Sequence, residues 1–475
     1  MRVLFTHSYF LRFDEKQWNQ RKPYPPLATI TAAALLREKG HDVGLFDTNF
    51  VEDPMELTEK LATFQPDVLV VYDDGFNYLT KMCLTRMREA AFEMIELSKS
   101  KNIDVFVSSS DSTDHFEDYL NKGADAVILG EADETLHLLI TAISKKENYH
   151  STAGIAYKEA TNIIQNPKRP VLTDLTSLPL PAWDLIDIKP YQEAWSKHGY
   201  FSINIATTRG CPYKCNWCAK PIYGNRYNSR SPQHVVDEIK LIRKHFDFDH
   251  IWFCDDIFGL KSKWVQEFNE ILNREKIKIR YKIQSRADLL LKDDTIKTLA
   301  DSGCDEVWIG AESGSQKILD AMDKGTSIQQ IEESTALMKK HGIKPCFFLQ
   351  FGYLGEEWKD IQATLQMLFT LMPHDIGVSV SYPLPGTKFY DIVKSELSEK
   401  ANWTDSDELL MMYKGTYSPN FYKKLHRYLH KRFREKQTLR ALKQGKLTQL
   451  PKWAYYKSTA RLFYGQLLQL KNKAS

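Results

Sequence analysis

Short apolar runs and amphipathic stretches alternate along the first third of the chain. Met1 to Phe5 reads as a strand, and Pro25-Pro26-Leu27 opens a helix from Ala28 to Lys39, since proline suits a first turn. Gly40 follows in the place of a C-cap. Val43 to Asp47 predicts a second strand, Pro54 to Phe64 a helix, and Val68 to Tyr72 a third strand. That last run is nearly all apolar, as in a strand covered on both faces. A helix from Leu79 to Lys99 precedes strands at Asp104 to Ser108 and Ala126 to Leu129. Strand and helix in turn at this spacing predict a doubly wound, Rossmann-like parallel sheet. Such sheets hold ligands beyond the carboxyl ends of their strands, here Thr6 to Tyr9, Tyr72 to Asn77, Ser108 to Thr113 and Gly130-Glu131. No G-x-G-x-x-G follows the first strand, which argues against a dinucleotide site.

The pattern changes between residues 145 and 200. Thr152 to Tyr157 and Val171-Leu172 are short strand candidates, and the proline-punctuated run from Asp174 to Asp184 predicts no helix. Alternation then resumes. Strands are expected at Phe201 to Ala206, His250 to Cys254, Arg280 to Gln284, Glu306 to Ile309, Pro345 to Phe351 and Ile376 to Ser381. Helices are expected at Ser231 to His245, Trp264 to Arg274, Asp293 to Ser302, Ile328 to His341 and Trp358 to Leu371. Six strands with a helix between each pair fit a partial (β/α)6 TIM-type barrel with its site at the C-terminal ends of the strands. Asp255, Asp256, Arg286, Glu312 and Ser313 fall at those ends. A structural ring of ion pairs at the barrel mouth would use the same residue types. Beyond Asn402, Tyr417 to Lys443 and Trp453 to Leu470 read as helices, the first with Phe421, Leu425, Tyr428, Leu429 and Phe433 on one face. The expected divisions are 1–144, 145–200 as linker, 201–395, and a basic, mainly helical 396–475.

Composition alters little. A chain of 475 residues allows two or three domains, and 43% hydrophobic with 26% charged residues is ordinary for a globular protein. No apolar run is long enough to span a bilayer, and the N-terminal one is too short for a signal peptide. Seven cysteines without an even framework point to a reducing cytoplasm. A net charge of +3 gives no reason to expect a nucleic-acid partner. The charge is uneven, however: from Phe421 onward, fifteen Lys and Arg accompany the single acid Glu435. Such a tail is a solvated basic face over a packed stripe, or a contact for an anionic membrane surface or acidic partner.

Chemistry concentrates in Gly210-Cys211-Pro212-Tyr213-Lys214-Cys215-Asn216-Trp217-Cys218, where three cysteines are spaced C-x3-C-x2-C. Thiolates at that spacing on one loop can converge on one metal centre, and soft sulfur selects iron–sulfur clusters, zinc or copper(I). Zinc would lack a fourth ligand, since no C-x2-C or H-x3-H lies nearby. A [4Fe–4S] cluster on three cysteines would keep one iron open. The whole pattern, strand then loop with Trp217 before the last cysteine, resembles the radical S-adenosylmethionine (SAM) superfamily. The resemblance implies that Cys211, Cys215 and Cys218 ligate a [4Fe–4S] cluster and that Trp217 lies by the SAM adenine. It further implies that Asp255 and Asp256 meet the SAM amino group, that Arg286 pairs with its carboxylate, and that Glu312 and Ser313 hold its ribose or amino end. Cys254, Cys304 and Cys346 stand singly in or near strands and read as buried thiols, with Cys83 alone on a helix. Without a second cysteine cluster, the methylthiotransferase branch is disfavoured.

Upstream, Tyr24-Pro25-Pro26-Leu27, Gly40-His41-Asp42-Val43 and Leu129-Gly130-Glu131-Ala132-Asp133-Glu134-Thr135 resemble the cobalamin-binding domain that precedes many radical SAM domains. The D-x-H-x-x-G motif is absent: His41 and Gly44 keep part of its spacing, but Lys39 stands where Asp belongs. The resemblance therefore implies cobalamin with no histidine beneath the cobalt. Its implied contacts are Thr6, His7, Tyr72, Asp73, Ser108, Ser109, Gly130 and Glu131. Tyr72, Asp73 and Asp74 face that lower side or simply cap a strand end. A degenerate domain that has lost cobalamin would share the fold. The implied activity is reductive SAM cleavage and radical attack on an unactivated carbon of a small molecule, with methyl transfer as the outcome. Cyclisation or rearrangement, as in the anaerobic magnesium-protoporphyrin ester cyclase, is the alternative, and a cobalamin- or redox-sensing binding protein is another. An electron donor such as a flavodoxin or ferredoxin is implied as partner.

Overall fold

Val68–Tyr72 is buried at every residue and lies inside a sheet, as a run covered on both faces should. The computed structural model describes residues 1–77, 80, 84–397, 402–404 and 408–472. It divides into two units: Met1–Pro212 with Lys220–Ile283 and Asn402–Glu408, and Tyr213–Ala219 with Gln284–Ala401 and Leu409–Ser475.

Among the described residues, the first unit holds a seven-stranded sheet. Its strands are β1 (Arg2–Thr6), β2 (Asp42–Phe46), β3 (Val68–Tyr72), β4 (Asp104–Ser108), β5 (Ala126–Ile128), β6 (Ile155–Glu159) and β7 (Asn162–Gln165). The order is β2-β1-β3-β4-β5-β6-β7, parallel from β2 to β5. The chain steps from β1 out to β2 and back past β1 to β3, so the switch point lies between β1 and β3. Leu4, Leu69, Val71, Val105 and Val107 pack against Leu57, Leu61, Met94 and Ile95 in one core.

The connector departs from expectation. An antiparallel hairpin, β6 and β7, extends the parallel sheet. Val171-Leu172 is not a strand, because the Leu172 amide donates to Glu131 instead. The run expected to be helix-free contains two single 3-10 turns, Leu175–Ser177 and Trp183–Leu185. Prolines bar a longer helix but allow one turn, and the Asp174 carboxylate caps the first. A helix, Lys189–Ser196, follows. Trp183 and Trp195 are fully buried; their indoles donate to Glu238 (3.1 Å) and to the Pro23 carbonyl (2.8 Å). The segment 145–200 thus contributes Trp183, Tyr191 and Trp195 to the buried core.

Smaller differences have local causes. The helix expected from Pro54 begins as a 3-10 turn capped by Asp53 and becomes α only at Leu57–Phe64. The helix expected from Leu79 is observed at Thr85–Lys99, and residues 78, 79 and 81–83, with Cys83, lie outside the described residues. Glu15–Gln20, Ser110–Asp114 and Phe116–Asn121 are helices too short to show an amphipathic period.

A second sheet begins in the same unit with β8 (Ser202–Ile205), β11 (His250–Phe253) and β12 (Tyr281–Ser285), all parallel. Between β8 and β11 lies a two-residue antiparallel ladder of β9 (Thr208–Arg209) and β10 (Asn228–Ser229). Phe253, Phe258, Phe268 and Tyr281 form an aromatic core behind it. Strand β12 ends in the second unit, where β13 (Cys304–Glu312), β14 (Lys344–Phe351) and β15 (Asp375–Val380) continue the sheet in chain order. The six strands form the expected partial barrel. Cys254, Cys304 and Cys346 are buried.

In the second unit, the C-terminal helices span Pro419–Lys443 and Leu450–Asn472. Phe421, Tyr422, Leu425, Leu429 and Phe433 are buried, whereas Tyr428 is only half-buried and lies 5.0 Å from the Tyr464 ring. No helix among the described residues is long and apolar enough to cross a membrane.

Glu356, just past β14, is fully buried and accepts the Gly352 amide at 2.7 Å. Burial pushes its carboxyl from 4.5 up to about 8. The folded state therefore keeps this proton where the unfolded chain has lost it. Stability from this group falls as pH rises from 4.5 to about 8, then levels. Glu356→Gln, which keeps the neutral shape, is expected to flatten that segment; urea melts across the range would reveal an unchanged slope if the carboxyl is not responsible.

Candidate metal and cofactor site

The cysteine loop is rooted in the first unit. Past β8 the chain runs through Thr207 and Thr208, and Asp255, just past β11, accepts the Thr207 amide (2.7 Å), the Thr207 hydroxyl (2.5 Å) and the Thr208 amide (2.8 Å). Asp255 is fully buried, and burial pushes its carboxyl up to about 7. Its oxygens are taken up by the loop root, while the neighbouring Asp256 is exposed. Gly210 precedes Cys211 with φ of 78°, and a Cβ there would stand 2.5 Å from the Arg226 carbonyl oxygen. Gly210→Ala combines that clash with a left-handed backbone, so a loss of about 2–4 kcal/mol is expected in equilibrium unfolding; a change within error would mean that the loop relaxes freely.

Arg209 is 6% exposed and gathers two carboxylates from the first sheet. One guanidinium nitrogen lies 2.6 Å from Glu131 and 2.7 Å from Asp133, and the other is 3.2 Å from Asp133. Burial opposes its charge, but Asp133, Tyr223 and Glu131 outweigh that and hold it above its usual range. The guanidinium lies 5.2 Å from the Tyr223 ring, and Tyr72 reaches Asp133 at 3.5 Å. Beside it is a small cavity of about 30 Å³, lined by Thr31, Pro179, Ala206, Thr208 and Arg230.

The other strand-end residues expected to meet cobalamin mostly bind one another. The Thr6 hydroxyl donates to Phe46 (2.9 Å), and the buried His7 ring lies 2.9 Å from Asp47 and 3.0 Å from Thr48. Asp73 accepts the Ser8 amide (2.7 Å) and hydroxyl (2.8 Å), and its own amide donates to Ser108. Asp74 accepts the Phe76 (3.0 Å) and Leu27 (3.3 Å) amides. Both acids behave as strand-end caps. Ser109 caps the helix after β4, and the Gly130 amide donates to Thr113 at 3.2 Å. Ser110 differs: its hydroxyl is buried at the end of β4 with no hydrogen-bond partner among the described residues. A group bound beyond the carboxyl end of β4 would find one unfilled hydrogen bond there.

In the second unit, Cys215 and Cys218 share one turn, closed by the Cys218 amide on the Cys215 carbonyl at 3.2 Å. Asn216 between them is pinned to Met322 (3.1 Å), Ala321 (2.7 Å), Tyr353 (2.7 Å) and Phe389 (3.0 Å). Arg286 is held by Asp288 (2.9 Å) and the Gly325 carbonyl (3.2 Å), with its guanidinium 3.7 Å from the Tyr213 ring and 4.0 Å from the Cys215 sulfur. Lys324 donates to Glu312 at 2.7 Å, and both are buried. Burial opposes the lysine's charge, but Glu312 and Cys215 outweigh it and keep the ammonium above its usual range. Glu312 has a left-handed φ of 53°, and Gly310 is required because a side chain there would strike both members of the pair. Ser313 is fully buried against Thr364 at 3.1 Å. The Trp217 indole nitrogen is buried without a partner among the described residues.

No three His, Cys, Asp or Glu among the described residues are gathered tightly enough to hold a metal ion. The fit to a cluster therefore rests on donor chemistry. Three thiols lie within eight residues, and two cations, Arg286 and Lys324, stand beside Cys215. Arg209, Asn216 and Lys324 carry no local signal, since each works through residues distant in sequence.

Residues 205–368 match the model of the Radical SAM superfamily. The chain is similar to an uncharacterized methyltransferase of Pyrococcus horikoshii, 26% identical over 387 residues, covering 80% of this chain and 81% of that one. It is also similar to the anaerobic magnesium-protoporphyrin IX monomethyl ester cyclase of Synechocystis, 24% identical over 405 residues, covering 84% and 79%. The solved structure of the cobalamin-dependent S-adenosylmethionine radical enzyme OxsB, with aqua-cobalamin bound, shares the fold at a TM-score of 0.75 and 19% identity, covering 97% of this chain and 72% of that one.

Proposed function

We propose that this chain, whose residues 205–368 form a radical SAM domain, is a cobalamin-dependent radical SAM enzyme that transfers a methyl group to an unactivated carbon of a small molecule. The observation that carries this reading is Arg209, two residues before the first cluster cysteine and buried against Glu131 and Asp133 beyond β5. It roots the cysteine loop at the strand ends where a doubly wound sheet keeps its ligand. The cluster supplies the electron that cleaves SAM and cobalamin carries the methyl group, so the protein's share is placement and shielding.

Cys211, Cys215 and Cys218 would hold the iron. Arg286 and Lys324 bring positive charge to Cys215 and suit the SAM carboxylate, the former through its planar fork. Glu312 and the exposed Asp256 would serve as acids for the SAM amino group, and Trp217 would lie by the adenine. Asp255 and Ser313 are positioning residues, since their bonds run to Thr207, Thr208 and Thr364. Ser110, Ser109, Gly130 and Thr6 surround the place for cobalamin. A flavodoxin or ferredoxin serves as electron donor in the cytoplasm.

The methyltransferase relative supports methyl transfer, and ring formation without it stands second on the slightly less similar cyclase. The test is anaerobic reconstitution with iron, sulfide and hydroxocobalamin, then SAM and reductant. About four iron and one cobalamin per chain with 5′-deoxyadenosine release are expected. Iron without cobalamin would make the N-terminal sheet a degenerate one, and zinc in place of iron would end the reading.

A further inference from the structure

Helix Leu450–Asn472 lies against helix Pro419–Lys443 through Ala460 and Leu467, which are buried. Its opposite face is open. Leu450, Tyr455 and Leu462 are 53%, 54% and 59% exposed, and Leu447, in the turn between the helices, is 75% exposed. Ala454, Ser458 and Gly465 are exposed too and fall among them at helical spacing, with Arg461 on the same side, so the face sets leucines among small residues and a cation. One exposed leucine is ordinary; three, with Leu447 and Leu450 about a turn apart, are not.

The charges around the row are of one sign. Lys443, Lys446, Lys452 and Arg461 are exposed beside it. From Lys436 to the end the sequence has no acid, and Glu435 is buried in a pair with Arg432. A second copy docking through this face would bring cations against cations. A broad anionic surface that accepts apolar side chains has the complementary chemistry.

We propose that this face seats the C-terminal helices on an anionic lipid bilayer. Leu447, Leu450 and Leu462 enter the boundary between headgroups and acyl chains, and the flanking lysines and arginine meet acidic headgroups, while Tyr455 reaches back to Lys431 of the first helix at 3.1 Å. The proposal stands apart from the radical chemistry, because none of these residues belongs to the cofactor site.

Sedimentation of the full chain with phosphatidylcholine vesicles, with and without phosphatidylglycerol, tests it. Binding about tenfold tighter to the anionic vesicles is expected, weakening as salt is raised. Combined Leu447→Ser, Leu450→Ser and Leu462→Ser should lower partitioning by about tenfold or more while bound iron and SAM cleavage stay unchanged. If that variant loses its iron through misfolding, the pair Lys446→Glu and Lys452→Glu gives the same readout through charge. Equal binding to both vesicles, or to neither, overturns the proposal. So does a concentration-dependent dimer that the serine variant abolishes, which would make the face a self-interface.

Discussion

Exchange of any one of Cys211, Cys215 or Cys218 for Ala is expected to abolish reductive SAM cleavage and to drop bound iron from about four to well below one per chain. The loop supplies three thiols and no fourth, so each loss leaves two ligands for a four-iron cluster. At Cys215 the change also alters the surroundings of Arg286 and Lys324, which would face a methyl group in place of the sulfur. Cys254→Ala is the control. That thiol is buried and single, its replacement removes one sulfur from a core, and full iron content is expected. Iron analysis and the cluster's visible absorption report the outcome. If Cys254→Ala empties the site as thoroughly as Cys215→Ala, the ligand assignment fails.

Arg209→Met should destabilise the folded chain by about 3–5 kcal/mol. The side chain fits the same space, but Glu131 and Asp133 would be left as nearly buried carboxylates with no cation. Those carboxylates would then hold protons to higher pH. The loss should therefore be largest near neutrality and shrink as pH falls, ending only below about 4, where both acids are neutral in folded and unfolded chains alike. Adding Glu131→Gln and Asp133→Asn to Arg209→Met should recover most of the loss, because no buried charge then remains. Urea unfolding of the single and triple variants decides the matter; equal stabilities would mean that the triad contributes nothing through charge.

Much of the scaffold was legible because periodicity and burial agree. Val68–Tyr72 and Asp104–Ser108 match their expected strands to the residue, since a strand covered on both faces leaves few other places for a run of valines. The cysteine spacing marked the loop for the same reason: ligand chemistry restricts residue type. The rest depended on tertiary reach. An acid at a strand end can face a ligand or its own neighbouring loop, and only the distances to Thr207 and Thr208 show that Asp255 faces the loop. Arg209 meets Glu131 across 78 residues, a separation that no local pattern encodes. Lys324 sits in an ordinary-looking turn, and its approach to Glu312 depends on the left-handed residue and the glycine on β13.

The buried connector also bears on how such a chain is inherited. Trp195 is bonded to Pro23, Tyr191 to Asp47 and Arg209 to Glu131 and Asp133, so residues on either side of the expected boundaries were fitted to one another. A recombination event that exchanged the N-terminal third alone would bring in a sheet whose side of each pair is in the wrong register. Natural lineages are expected to pass residues 1–212 on as one block, with substitutions at these paired positions arising together.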